Sequence, residues 1–362
     1  MKKIYLVFLI VMGFCFQYGN AQTISEKDKQ LGVEFDKLLS AQYKPNEPGC
    51  VVLVARKGQI IYEKAFGMAD MELSVPNNVD MVFEVGSITK QFTAVAIMQL
   101  VEQGKLSLQD SINKFIEDYP THGYTITIEN LLTHTSGIKD YLTMKGYDST
   151  SWRKDYAPNE FINFFKNEPM DFAPGTSLHY SNSAFYLLGC IIEKVTGKTY
   201  GQYIEDNIFK PAEMKNSYYG DFVKIIKNRS KGYHKGVNGF ENADHVSWTQ
   251  IYSAGGLMST VEDFFKYYQA LNSYKLVKKE SLEKTRTSFK LTNGKETGYG
   301  YGIGVGNVMG KSIVGHAGGI NGFYTNQLYF PNEDVSVVVF TNCDNYGSPD
   351  PSMKIAALVL GK

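Results

Sequence analysis

The stretch "FEVGSITKQFTAVAIMQLVEQG" occupies Phe83–Gly104. From Phe92 to Val101 it is apolar almost all round, the pattern of a buried helix rather than an amphipathic surface one. Gly104 supplies a C-terminal stop, so a core helix is predicted over Thr89–Gln103. Ser87 and Lys90 stand at its mouth, three residues apart, and therefore share one helix face. A lysine entering a buried helix must find a partner or lose its proton. Taken alone, this S-x-x-K is weak and reads first as a serine N-cap and a solvated lysine.

Outward from this segment, strand patterns lie towards both ends. "GCVVLVARKGQIIYEKAFGMAD" (Gly49–Asp70) reads as two strands around a Lys57-Gly58 turn, and "NQLYFPNEDVSVVVFTN" (Asn326–Asn342) as a second hairpin around Pro331-Asn332. Between them the patterns are mostly helical. Ala184–Thr196 is stopped by Gly197 and capped by Asn182 or Ser183, and Thr260–Leu271 is capped by Ser259 or Thr260. "DPSMKIAALVLG" predicts a closing helix. Strands at both ends with helices between imply an α+β layout in which the terminal segments share one sheet. "GYGYGIGVG" (Gly298–Gly306) matches neither G-x-G-x-x-G nor a Walker A loop and reads as a glycine-tolerant strand or bend.

The chain has 362 residues, 43% hydrophobic, enough for a sizeable core, and its 37 Lys plus Arg balance 37 Asp plus Glu. No strong field favours nucleic acid or an anionic membrane. "MKKIYLVFLIVMGFCFQYGNAQ" begins with basic Lys2 and Lys3 and continues with an apolar Ile4–Phe16 stretch too short to span a bilayer comfortably. Gly19-Asn20-Ala21 then places small residues before a cleavage site at Gln22. Residues 1–21 are thus expected to be a signal peptide, and the protein to be exported, periplasmic or secreted, with no stable membrane span after its removal. Phe14 before Cys15 speaks against lipid attachment. Cys50, Cys190 and Cys343 sit in apolar contexts and read as small buried hydrophobes, their disulfide state left open. No CxxC or HExxH occurs, so a metal site has no support and no cofactor is implied.

Two further stretches complete a pattern. "PGTSLHYSNSAF" carries Tyr180-Ser181-Asn182 before an apolar helix, and "VGHAGGINGFY" carries His316-Ala317-Gly318-Gly319. S-x-x-K, then Y-x-N, then H/K-x-G, in this order, resembles the active-site serine penicillin-recognising enzymes. The Tyr-Ser-Asn form is similar to the class C β-lactamase and D-Ala-D-Ala carboxypeptidase branch, which also contains esterases and D-aminopeptidases. "ENLLTHTSGI" (Glu129–Ile138), "FAPGT" (Phe172–Thr176) and "SAGGLMSTVEDFFKY" (Ser253–Tyr267) support the resemblance, which spans roughly Pro48 to the C-terminus. No G-x-S-x-G elbow occurs, so the α/β-hydrolase alternative lacks its signature.

The resemblance implies an α+β, β-lactamase/transpeptidase-like fold. One domain over 22–362 would have an antiparallel sheet from about 45–75 and 298–362 and a mainly helical region between. It implies a serine hydrolase that transfers an acyl group to Ser87 and then to water, acting on D-amino-acid-containing peptides or related amides and esters. The substrate would be a small molecule or peptide, a cell-wall peptide among the candidates. An esterase, a weak β-lactamase and a penicillin-binding sensor that acylates without turnover are the alternatives. Ser87 would be the nucleophile, and Lys90 or Tyr180 the base, with the Tyr180 phenolate favoured by Lys90 and His316. Asn182 would hold Lys90 and the substrate amide. The backbone N–H groups of Ser87 and Gly319 would form the oxyanion hole. His316, Ala317 and Gly318 would contact substrate, with Gly318 keeping an edge strand clear for the substrate backbone. A partly charged His316 and the alanine in place of the family's threonine both weaken recognition of a substrate carboxylate.

Overall fold

The computed structural model describes residues 25–344 and 350–362; the expected leader at 1–21 lies outside them. Six strands form the main sheet: β1 (Cys50–Arg56), β2 (Gln59–Phe66), β3 (Gly304–Val308), β4 (Lys311–Ile320), β5 (Phe323–Phe330) and β6 (Val335–Thr341). Their order is β3-β4-β5-β6-β1-β2, and every pairing is antiparallel. The β1–β2 turn holds Lys57 at φ 51° and Gly58 at φ 72°. Two consecutive positive φ values give a tight hairpin whose twist matches its strands. The register between β1 and β6 runs from Cys50↔Thr341 to Arg56↔Val335, which closes the early and late segments into one sheet as expected.

The principal helices are α1 (Glu26–Gln42), α2 (Thr89–Glu102), α3 (Asn182–Thr196), α4 (Trp248–Gly255), α5 (Val261–Asn272) and α6 (Ser352–Leu360). Helix α1 was not among the elements expected. Side chains on a strand alternate between faces. Cys50, Val52 and Val54 therefore meet Phe35 and Leu39 of α1 and Ile355 and Val359 of α6 on one face. Val51, Leu53 and Ala55 meet the layer containing Phe92 and Phe264 on the other. A strand covered on both faces reads as a continuous apolar run, as β1 and β6 do. Cys190 packs against the helical layer, and Cys50 and Cys343 are buried.

In α2 every residue from Thr89 to Leu100 is buried. One cap differs from expectation and one agrees. Ser181, not Asn182 or Ser183, accepts the first-turn N–H of α3, from Ala184 at 3.2 Å, which leaves the Asn182 side chain for other partners. Thr260 caps α5. The central region is not helix alone: Phe83–Glu84, Leu257–Ser259 and Tyr218–Tyr219 form a small sheet that anchors the chain just before Ser87. The glycine-rich Gly298–Gly306 bends and then enters β3 at Gly304.

Strand β3 pairs only with Lys311–Gly315 of β4, so its partnership ends before His316. The free part of β4 lies against the Gly86–Ile88 turn that opens α2. Helix start and open strand edge meet there, and the predicted site residues converge on that junction.

Candidate active site

Gly86 sets the junction. Its φ is +51°, and a Cβ on it would stand 3.0 Å from the Gly319 carbonyl oxygen. Only glycine accepts both the left-handed backbone and so close an approach. Ser87 follows in the same tight turn, and Lys90 in the first turn of α2.

Lys90 is fully buried. Its Nζ lies 3.2 Å from Ser87 Oγ, 2.7 Å from Asn182 Oδ1 and 2.8 Å from the Ala254 carbonyl oxygen. It also stands 4.7 Å from the Tyr180 ring centroid and 5.6 Å from that of Phe185. Burial lowers its pKa to about 7, against the pull of Asp140. The lysine has thus found partners and also nears neutrality, where the sequence offered one or the other.

The orientation of Asn182 is imposed from behind. Its Nδ2 donates to Asp140 Oδ2 at 3.1 Å and Oδ1 at 3.3 Å, and its backbone N–H donates to Oδ1 at 3.1 Å. With the amide nitrogen held there, the oxygen must face Lys90. Asp140 is itself buried. Burial raises its pKa, opposed by hydrogen bonds from the Leu142 and Asn182 N–H groups. Ala254 is fixed by the unusual path of α4, where Tyr252 adopts φ 37°, ψ −126°. Ser253 is tied down on either side of that kink, its Oγ donating to the Phe185 carbonyl at 2.8 Å and its carbonyl accepting from Thr93 Oγ1 at 2.7 Å.

Tyr180 departs from expectation. Its ring packs on His134, with centroids 4.2 Å apart, and its Oη is buried without a hydrogen-bond partner of good geometry. Burial holds its pKa far above the usual phenol value, and the nearby Ser87 hydroxyl only partly offsets this. Burial therefore favours the neutral phenol in the free site. His316 is also different: burial and Lys90 lower its pKa to about 4, so it is neutral near pH 7 rather than partly charged. Tyr299 Oη lies 2.9 Å from His316 Nε2.

Gly318 does not keep space for a substrate. A Cβ there would stand 2.1 Å from the Val85 carbonyl oxygen, so this glycine lets β4 press against the residues before Ser87. Ala317 is exposed. The cavity in front of Ser87, about 290 Å³, is lined by Gly86, Ser87, Tyr180, Asn182, Gly255 and Gly319, with Asp140 and an apolar side that includes Tyr141, Tyr147 and Trp152. His316, Ala317 and Gly318 are not among its lining residues.

Three residues of this assembly were missed: Asp140, His134 and Tyr299. His134 is fully buried, its Nδ1 accepts from the Ser181 N–H at 3.1 Å, and burial drives its pKa well below the usual value. It lies within the ENLLTHTSGI stretch, and Tyr299 within the glycine-rich one. Asp140 follows the former by two residues. Among the described residues, no group of His, Cys, Asp and Glu could hold a metal ion, and no helix is long and apolar enough to cross a membrane.

Comparisons with known proteins place the chain. The family model described as Beta-lactamase matches residues 34–362. Penicillin-binding protein 4* of Bacillus subtilis (strain 168) is 30% identical over 308 residues, covering 80% of this chain and 67% of that protein. The octameric penicillin-binding protein homologue from Pyrococcus abyssi is similar with a TM-score of 0.79 and 33% identity, covering 92% of this chain and 77% of the other. A D-stereospecific amidohydrolase from Streptomyces sp. follows with a TM-score of 0.78 and 25% identity, covering 91% and 99%.

Proposed function

The chain belongs to the beta-lactamase family, and on that premise we propose that it is an exported active-site serine hydrolase working through an acyl-enzyme on D-amino-acid-containing peptides or related amides and esters. The observation that carries this reading is the coordination of Lys90. A neutral amine has two N–H groups and one lone pair. As an ammonium, Lys90 donates to Ser87 Oγ at 3.2 Å, Asn182 Oδ1 and the Ala254 carbonyl; on losing one proton it keeps the last two bonds and turns its lone pair to the Ser87 hydroxyl. That set holds the amine against Ser87 in either protonation state, and a pKa lowered by burial to about 7 makes the unprotonated form available at neutral pH to take the serine proton.

Lys90 then acts as base when Ser87 Oγ attacks the substrate carbonyl. The backbone N–H groups of Ser87 and Gly319, both at the cavity wall, receive the oxyanion. The Tyr180 hydroxyl, kept protonated by burial, relays the proton from Lys90 to the leaving group. Water enters after the leaving group departs and repeats the cycle on the acyl-enzyme. A neutral His316 and an alanine at 317 offer little to a carboxylate on the leaving side, which favours amides and esters without one.

The test is to incubate the protein with a fluorescent penicillin, D-amino-acid amides, D-Ala peptides and p-nitrophenyl esters, following intact mass and product. Turnover with a transient adduct on Ser87, absent in Ser87→Ala, is expected. A permanent adduct without product would replace the enzyme by a sensor, and labelling that survives Ser87→Ala would remove the nucleophile.

A further inference from the structure

A second cavity, about 240 Å³, adjoins the one in front of Ser87; Val246, Ile320 and Asn321 line both. Among its other lining residues are Glu84, Arg229, Ser230 and His245. Arg229 Nε, Ser230 Oγ, His245 Nε2 and Asn321 Nδ2 are all buried and have no hydrogen-bond partner among the described residues. An unpaired buried polar atom costs free energy, so four around one cavity call for an explanation. Arg229 Nε and Asn321 Nδ2 can only donate, and Ser230 Oγ can. The unsatisfied capacity is therefore for an acceptor.

The charges agree. Lys231 is paired with Glu72, and Asp244 with Arg153. That leaves Arg229, Glu84 and His245. Burial lowers His245 to a pKa of about 4, so it is neutral. Burial raises Glu84 to about 8, against the pull of Arg229. A carboxyl raised that far carries less negative charge against Arg229 than an ordinary glutamate. The Arg229 guanidinium is the cationic group of these three; Glu84 and Asp221 act on it, yet its buried Nε is left without a partner.

Direction follows from the chemistry. The leaving group must lie where Tyr180 can protonate it, and Tyr180 faces His316, with ring centroids 6.0 Å apart. The acyl part therefore runs the other way along β4, past Gly319 towards Ile320 and Asn321. Ile320 ends β4 and Asn321 opens the turn beyond it, so the reach is about 7 Å at most.

We propose that this second cavity is a subsite for a carboxylate carried on the acyl part of the substrate, at most about 7 Å from the reacting carbonyl. The subsite rests on the acyl-transfer reading of Ser87. It is independent of the weak carboxylate recognition at Ala317, which concerns the leaving side.

The experiment compares p-nitrophenyl monoesters of dicarboxylic acids from succinate to suberate with the same esters bearing a terminal carboxamide. Wild type should favour the acid over the amide by about tenfold or more in kcat/KM for the longer members, the scale of one hydrogen bond to a charged group, and not for succinate. Ser230 lines only the second cavity, so Ser230→Ala should reduce that preference while amide-ester turnover stays unchanged, and Asn321→Ala should reduce it as well. Arg229→Gln should abolish it. Arg229 Nη2 also donates to the Asp221 carbonyl at 2.6 Å, so the first two variants decide if Arg229→Gln does not fold. Equal rates for acid and amide at every length would overturn the subsite and mean that water fills the cavity, with the hydrolase reading intact. A preference that survives all three substitutions would overturn it too. If no ester is turned over, the hydrolase reading fails. Calorimetric titration with suberate monoamide then scores the subsite: binding weakened by Asn321→Ala keeps it, and no binding overturns it.

Discussion

The mouth of α2 and the free stretch of β4 face each other across Ser87, yet they treat polar atoms in opposite ways. At α2 a fully buried lysine is coordinated on three sides, and its orienting amide is itself held by a buried carboxylate. At β4 the comparable motif supplies a neutral imidazole, an exposed methyl group and a glycine pressed against Val85. One region is built to move a proton. The other is built to hold a backbone in place. Motif residues of similar standing in the sequence thus do different kinds of physical work.

The contrast breaks hardest at α2. Lys90→Met and Tyr180→Phe are each expected to slow acylation by about 10²–10⁴-fold, the usual range for general acid–base groups. The double variant should be little slower than either, because residues acting as one unit lose rate non-additively. Single-turnover rates on a D-amino-acid amide, whose amine must be protonated to leave, measure this. Strictly additive losses would separate the two residues.

On the strand the matching test is Gly318→Ala. Its methyl group would meet the Val85 carbonyl oxygen at 2.1 Å, so β4 must retreat from the turn before Ser87. A displacement of about 1 Å at the oxyanion donor costs about 100-fold. The loss should fall on kcat and leave the pH midpoint unmoved, as suits a residue that positions backbone and carries no proton. A shifted midpoint would contradict the division of labour.

The smallest effect belongs to Ala317. Ala317→Thr adds a hydroxyl that can donate to a carboxylate on the leaving side. It should improve such substrates about tenfold at most, relative to their methyl esters. Because His316 becomes charged only near pH 4, the gain should stay constant from pH 5.5 to 8. A gain that grows as pH falls across that range would show that His316 is charged after all.

Much of this arrangement was legible in the sequence, and what was not has a common cause. Hairpins were readable because their turns and alternation are local, and α2 because a helix buried all round is apolar all round. Ser87, Lys90, Tyr180 and Asn182 carry short motifs. Asp140, His134 and Tyr299 carry none that stands out from background, and their roles exist only once α3 and β4 are folded against α2. The charge states were misread for the same reason. A phenolate at Tyr180 and a half-charged His316 follow from neighbours named along the chain, whereas burial, a property of the whole fold, dominates both. The α3 cap was misplaced because Asn182 is a good cap in isolation, but here its amide bridges Lys90 and Asp140.

The central claim is that Lys90, held close to neutrality, takes the proton of Ser87. It is tested most directly by the pH dependence of single-turnover acylation with an uncharged ester. The base form of Lys90 is needed, and its pKa is about 7. The rate should therefore climb about tenfold per pH unit below 7 and level off above it. Asp140 raises the Lys90 pKa, so Asp140→Asn should move the midpoint to lower pH. A profile flat from pH 5 to 8, or one still rising past pH 9, would contradict the account.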